Sequence, residues 1–420
     1  MSDSYARVLR EIVGEPVVTG ELWDTVTSVG EGDAGAYAEA IAAITRACGV
    51  ASVDGALRDE STPGAVLDVM VDRFERYSGF FKPIAAHPNI TPRVEEYCLS
   101  KRRVALNESL AASAGVSAEA VEKLLRSKSR GVIGALLGNS SLSEEQLRRA
   151  EWRARSIGTP MWLMARDACK NRAMPVDVVL SWLSDEREEL KARAYALKSP
   201  VVPRSVLWGW LTKEACCDAE SSVAMSIFDE CSNADGSMVD YYASGVVAGI
   251  VRGDTDFDHE HTLRLALRHP RVWSSTVEKA YTMVDHTLRL LASVMGAPVC
   301  PEWVWADALA RSGRLLALGN GNYFFVKDER VFDAAWLSDC HARRLLDAGL
   351  AYYAVFVACA SQGTLTRVAD FALAGQTTWR SLLSDVAAHQ NTHPVLRREL
   401  VPWFPESLWL VARDGFLGRA

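Results

Sequence analysis

The fold is decided at Ala85-Ala86-His87-Pro88-Asn89-Ile90-Thr91-Pro92. Small apolar residues close a helix, and a polar turn around Pro88 stops it from continuing. Thr91-Pro92 then supplies an N-cap hydroxyl and a first-turn proline for the next helix. The same piece recurs as Ala266-Leu267-Arg268-His269-Pro270-Arg271-Val272 and as Ala387-Ala388-His389-Gln390-Asn391-Thr392-His393-Pro394. One local rule, helix then turn then capped helix, therefore operates at three distant places.

The openings of the second helix recur at a spacing. Ile90-Thr91-Pro92, Val116-Ser117-Ala118-Glu119 and Leu142-Ser143-Glu144-Glu145 are 26 residues apart. Further openings begin at Met174, Val202, Val272 and Val299. In each, an apolar residue precedes Ser, Thr or Pro, directly or, at Val272 and Val299, one residue further on. A second apolar residue follows five positions on, at Val121, Leu147, Val179, Leu207, Val277 and Val304. This is the spacing of a hydrophobic staple, in which the residue before the cap packs on the first full turn. At Ile90 the staple site is flanked by Val94 and Tyr97 instead. Intervals of 32 between Leu142 and Met174, and of 70 between Val202 and Val272, interrupt the period.

A period of this length marks helical arrays, in which each unit buries its apolar face on its neighbours. The segment at 85–95 resembles the leucine-rich-repeat-variant pattern, and the chain as a whole resembles a HEAT-like α-solenoid over about 80–310, with a further stretch at 355–400. The resemblance implies an all-α fold of about 26-residue helical repeats with atypical capping regions at both ends. The expected organisation is an N-terminal helical cap over 1–80, a solenoid over 81–310 and a C-terminal helical region over 311–420. In the first part, Ser4 to Val13, Gly20 to Val29, Asp33 to Cys48 and Gly64 to Tyr77 show apolar residues at helical spacing. In the last, Leu318-Gly319-Asn320-Gly321-Asn322 followed by Tyr323-Phe324-Phe325-Val326 reads as a turn beside a β-prone run, a loop or short hairpin near 319–326. Val401-Pro402-Trp403-Phe404-Pro405 reads as an aromatic cap.

Composition agrees with a folded, charged surface. Of 420 residues, 46 are Lys or Arg and 53 Asp or Glu, a net charge of −7, and 49% are hydrophobic, which excludes a disordered chain. The nine cysteines are an odd, scattered set without a Cys-x-x-Cys, unlike a secreted disulfide framework. No signal-peptide pattern opens the chain, and the longest apolar run, at about 348–360, is well short of the roughly 20 residues of a membrane span. The expectation is a cytoplasmic protein with no membrane partner.

Charge is unevenly distributed. Residues 93–172 carry 15 basic against 9 acidic side chains, whereas 1–92 carry 7 against 14. The basic residues cluster at Lys101-Arg102-Arg103, at Lys128 and Arg130, and at Arg153 and Arg155, again about one period apart. Stacked repeats would gather them into one ridge suited to an acidic protein surface or to phosphates. The alternative is that they solvate a face or bond to helix-end carbonyls.

Other constellations carry less chemistry. Asp254-Thr255-Asp256-Phe257-Asp258-His259-Glu260-His261 begins like a calcium loop, but His259 replaces the turn glycine and Leu265 the bidentate glutamate. Its histidines suit a transition metal, its acids equally a helix start. Trp208/Trp210 and Trp303/Trp305 are Trp-x-Trp pairs, which a helix splits between core and surface. Neither Cys340-His341 nor Cys216-Cys217 makes a nucleophile site, and the Gly-x-Ser-x-Gly, Walker and His-Glu-x-x-His patterns are missing. The expected function is a non-enzymatic protein–protein interaction scaffold without cofactor or metal, whose partner-binding residues are Lys101, Arg102, Arg103, Lys128, Arg130, Arg153 and Arg155. The runner-up is a nucleic-acid-binding protein: some HEAT-like proteins are DNA glycosylases with Trp and Asp in a basic groove, and Trp162 and Asp167 resemble that pair. A third reading is a structural subunit of a larger assembly.

Overall fold

The computed structural model describes residues 20–74, 81–184, 190–214, 233–251, 257–283, 288–317, 337–347, 359–374 and 380–419, together with Val18, Ile227, Phe228 and Val357. Among these the fold is all-α, with 23 α-helices and no strand. No described helix is long and apolar enough to cross a membrane. The helix expected over Ser4 to Val13 and the loop or hairpin near 319–326 lie outside the described residues.

The chain divides into two compact units. Unit 1 joins residues 1–136 to 338–420, and unit 2 is the continuous stretch 137–337. Unit 1 begins with α1 (Glu21–Thr27), α2 (Ala34–Cys48), α3 (Gly64–Arg73), α4 (Phe81–Ala86), α5 (Pro92–Ser100), α6 (Val104–Ala112) and α7 (Ala118–Leu124). The helix α8 (Arg130–Gly138) leads into unit 2, which holds α9 (Glu144–Ser156), α10 (Met161–Ala168), α11 (Val176–Ser184), α12 (Leu190–Leu197), α13 (Arg204–Glu214), α14 (Gly236–Val251), α15 (Phe257–Arg268), α16 (Ser274–Met283), α17 (Leu288–Met295) and α18 (Glu302–Ala317). Unit 1 resumes with α19 (Asp339–Asp347), α20 (Gln362–Ala374), α21 (Arg380–Ala388), α22 (Pro394–Leu400) and α23 (Leu408–Phe416).

The sequence openings start helices where they should. Thr91, Ser117 and Ser143 accept the N–H of Val94, Ala120 and Gln146, and Gln146 answers with a bond from the Ser143 N–H, completing a capping box. The staple residues Val121, Leu147, Val179, Leu207, Val277 and Val304 are all buried. At the last opening the register is one residue later than expected. Val299 is exposed, Cys300 is buried before Pro301, and Trp305 fills the core. The backbone fixes that shift: the N–H of Ala297 closes on Val294 O, so the inward position three residues on is Cys300.

The turns between the helices repeat one hydrogen-bond pattern. Ser113, Asn171 and His269 each donate their N–H to a carbonyl three residues back, and their own carbonyls accept from Val116, Met174 and Val272. Their side chains accept the N–H two residues on: Gly115 to Ser113 Oγ, Ala173 to Asn171 Oδ1, Arg271 to His269 Nδ1. His87, Asn139 and His389 accept in the same way from Asn89, Ser141 and Asn391. Several of these residues also reach the turn before. Ser113 Oγ donates to His87 O at 2.7 Å, and His87 Nε2 lies 3.0 Å from Asp59 O. In unit 2 the Asn171 amide donates to Leu137 O and Asn139 O, and the Asn233 amide to Val202 O. Arg271 Nη1 in turn donates to Ala234 O. The last two bonds place a turn at 233–235 inside the 70-residue interval, with Asp235 capping α14 through Met238 N–H.

A second set of bonds links the helices that follow these turns. In unit 1, Asp68 accepts from the Thr91 hydroxyl, Glu95 from the Ser117 hydroxyl and N–H, and Asp339 from the Ser361 N–H and the Thr364 hydroxyl. In unit 2, Asp240 accepts from Thr276. Burial opposes the charge on Asp339, but these donors, with the Ser361 hydroxyl and Arg343, outweigh it and hold the carboxyl at about 2.

Unit 1 is closed by its two chain segments. Val18 N–H donates to Pro402 O and Gly32 N–H to Phe416 O, while Tyr37 stacks on Phe416 with ring centroids 5.3 Å apart. Arg413 reaches Asp59 at 2.7 Å and lies over the Trp409 ring. Arg397 and Asp414 form an ion pair whose side chains are 3% and 8% exposed. Trp403 and Phe404 are buried, the aromatic packing expected of this stretch.

Candidate partner-binding turns

The basic residues of unit 1 sit on two turns. Lys101 is the C-cap of α5, Arg102 follows it and Arg103 is the N-cap of α6. Lys128 lies between α7 and α8, and Arg130 opens α8. All five are exposed. The turns are neighbours, because Gly131 approaches Glu108 of α6 so closely that a Cβ there would stand 1.9 Å from Glu108 Oε1. Gly131 leaves room for that carboxylate one residue after Arg130.

Arg153 and Arg155 belong to unit 2. Both lie in the last turn of α9, where cations favour the negative end of the helix. Arg155 pairs with Glu151, and Arg153 is half-buried. The candidate site with a described geometry is therefore the two-turn cluster of unit 1.

Many exposed cations elsewhere face carboxylates, as Arg58 does Asp54, Arg73 Glu39, Arg93 Asp72, Lys123 Glu119, and Arg148 both Glu144 and Asp177, whereas Lys82, Arg172 and Arg398 have no ion pair among the described residues. Among the described residues, the side chains of Arg102, Arg103 and Lys128 have no ion pair and donate to no carbonyl. The helix-end reading of these cations thus does not apply to those three. Lys101 lies over the Tyr97 ring, 4.9 Å from its centroid. Val104, next to Arg103, is 52% exposed.

The other sequence candidates are dispersed. Asp254 and Asp256 fall outside the described residues; the segment from Asp258 to His261 is the start of α15. His87, His269 and His389 are turn residues, and His393 caps α22. Trp305 is fully buried and Trp303 is exposed, the division expected of a helical Trp-x-Trp. Trp208 and Trp210 instead are both half-buried, Trp208 edge-on to Tyr241 and Trp210 under Arg193. Trp162 carries the Lys191 ammonium 4.0 Å from its ring centroid, and Asp167 pairs with Arg166. Burial raises the Asp167 carboxyl against the pull of that guanidinium.

Two features escaped sequence reasoning. Trp152 on α9 is 68% exposed. The signal was available, since the core residues Leu147, Ala150 and Ala154 of α9 turn position 152 outward. Arg102 has φ 51°, the left-handed region, where its neighbours in sequence announce nothing unusual. No protein family, no curated protein and no solved structure matches the chain.

Proposed function

We propose that this protein is a non-enzymatic interaction scaffold, an α-solenoid of HEAT-like or leucine-rich-repeat-variant units whose basic turns hold a protein partner. The observation that carries the reading is the gathering of Arg102, Arg103 and Lys128, exposed cations with no ion pair among the described residues, on two adjacent turns. The solenoid part is supported by the repeated turn bonds at His87, Ser113, Asn139, Asn171, His269 and His389. A side chain that serves its own turn and also the preceding one is what stacked repeats need to satisfy buried backbone groups.

The test is capture from native lysate, with and without nuclease, by tagged wild-type protein and by a variant reversing Lys101, Arg102, Arg103, Lys128 and Arg130 to Glu. Circular dichroism establishes that the variant is folded. A defined protein retained after nuclease and lost with the variant supports the scaffold. Capture that disappears with nuclease, with nucleic acid recovered from the untreated sample, overturns it in favour of nucleic-acid binding.

A further inference from the structure

Arg102 and Gly158 occupy the same local position. Each stands two residues beyond the end of its helix, after the C-caps Lys101 of α5 and Ile157 of α9. Each has a left-handed backbone, φ 51° and 70°. Glycine adopts that conformation without steric cost, and a side chain with a Cβ does not. At the α9 end the chain uses the cheap residue; at the α5 end it keeps an arginine. The Arg102 side chain recovers nothing within the protein, since it has neither an ion pair nor a hydrogen bond to a described residue. Its conformation is maintained for something outside.

The surroundings say what that is. Arg102 and Arg103 project beside Lys101, with Lys128 and Arg130 on the adjacent turn, and exposed Val104 offers an apolar contact within the cationic group. Cations around an apolar side chain suit a polypeptide carrying carboxylates and an aliphatic residue. A nucleic-acid strand would use exposed aromatic rings here, and among the described residues these two turns carry none. We infer that the two basic turns of unit 1 bind an acidic peptide segment of a partner protein, and that Arg102 is held in a left-handed conformation to meet its carboxylates. This deepens the scaffold reading and rests on it.

Fluorescence anisotropy of the full chain tests the inference with two labelled probes of equal charge. One is a 16-residue peptide of Glu and Asp with two leucines; the other is a single-stranded oligonucleotide. The variants are Arg102→Gly and Arg102→Lys, with thermal unfolding measured on each. The expected result is salt-sensitive peptide binding, weakened about fivefold or more by Arg102→Gly and largely kept by Arg102→Lys, with the glycine variant melting at or above the wild type. Absence of peptide binding, tighter binding of the oligonucleotide, or an unchanged peptide affinity in Arg102→Gly overturns it. If the peptide fails while lysate capture still yields a nuclease-resistant protein, the acidic-segment inference falls and the scaffold reading stands. If the oligonucleotide binds and capture is nuclease-sensitive, both fall.

Discussion

Asn171 donates its side-chain amide to the carbonyl of Asn139 at 3.1 Å, and to that of Leu137 at 2.7 Å, from a position with no solvent exposure. Its Oδ1 simultaneously accepts the Ala173 N–H. One side chain thus satisfies three backbone groups in two successive turns. Asn171→Ala leaves those groups buried and unpaired, at a cost of about 2–4 kcal/mol. Urea unfolding followed by tryptophan fluorescence measures the loss. A cost below about 1 kcal/mol would mean that the turns are held by packing alone.

The Arg397–Asp414 pair is a second buried polar commitment. Arg397 also donates to Ala387 O and His389 O, and burial lowers its pKa despite the Asp414 charge. Removing one partner strands the other charge, so Asp414→Leu is expected to cost about 3–5 kcal/mol. Arg397→Met combined with Asp414→Leu recovers part of that loss, because no charge is then left in the core. Thermal unfolding of the two single variants and the double variant gives the coupling directly.

Acid should weaken the fold through His389. Its Nδ1 accepts the Asn391 N–H, so the tautomer carries its proton on Nε2, facing Val357 O. Burial lowers its pKa below 6.5, the bond to Val357 opposes that, and Arg397 adds to it. The unfolded chain therefore takes up the second imidazole proton first. The contribution of the neutral ring is complete above the unfolded pKa and is lost as pH falls below about 6.5. A falling urea midpoint between about pH 7.5 and 5.5, flattened in His389→Asn, is the expected observation. Asparagine is the replacement of choice because Asn139 and Asn171 perform the same turn function.

Gly415 tests the closure of unit 1. A Cβ there would stand 2.4 Å from Val29 O, a backbone atom that cannot swing aside. Gly415→Ala is expected to destabilise by about 1–3 kcal/mol. Hydrogen exchange should report the loss at the Gly32 N–H, which bonds Phe416 O. Unchanged protection at Gly32 would show that the two segments adjust without separating.

Much of the helical pattern was legible because it is local. A capping hydroxyl at Thr91, Ser117 or Ser143 and an apolar residue five places after the opening lie within two turns of chain, and both obey short-range rules. The turn at 233–235 was not legible. Its Asn-Ala-Asp-Gly lacks the large apolar residue that marks most of its counterparts, and it is recognised by what Asn233 and Arg271 reach. His, Ser and Asn are interchangeable in these turns because each offers an acceptor at the right distance, which hides the repeat from residue identity. The basic clusters could be found from charge alone. Their division between two units, and the backbone of Arg102, could not, since both depend on coordinates rather than composition.

The joining of residues 1–136 to 338–420 has a consequence for synthesis. As the nascent chain emerges, the helices around Tyr37 and Val26 precede by more than three hundred residues the segment carrying Trp409, Arg413 and Phe416 that covers them. Until then their apolar faces have no permanent cover, whereas residues 137–337 are already together. Helices α1 and α2 are thus finished only when α23 arrives, and translation that stops short of Trp409 would release a chain prone to aggregation through α1 and α2 rather than at its broken end.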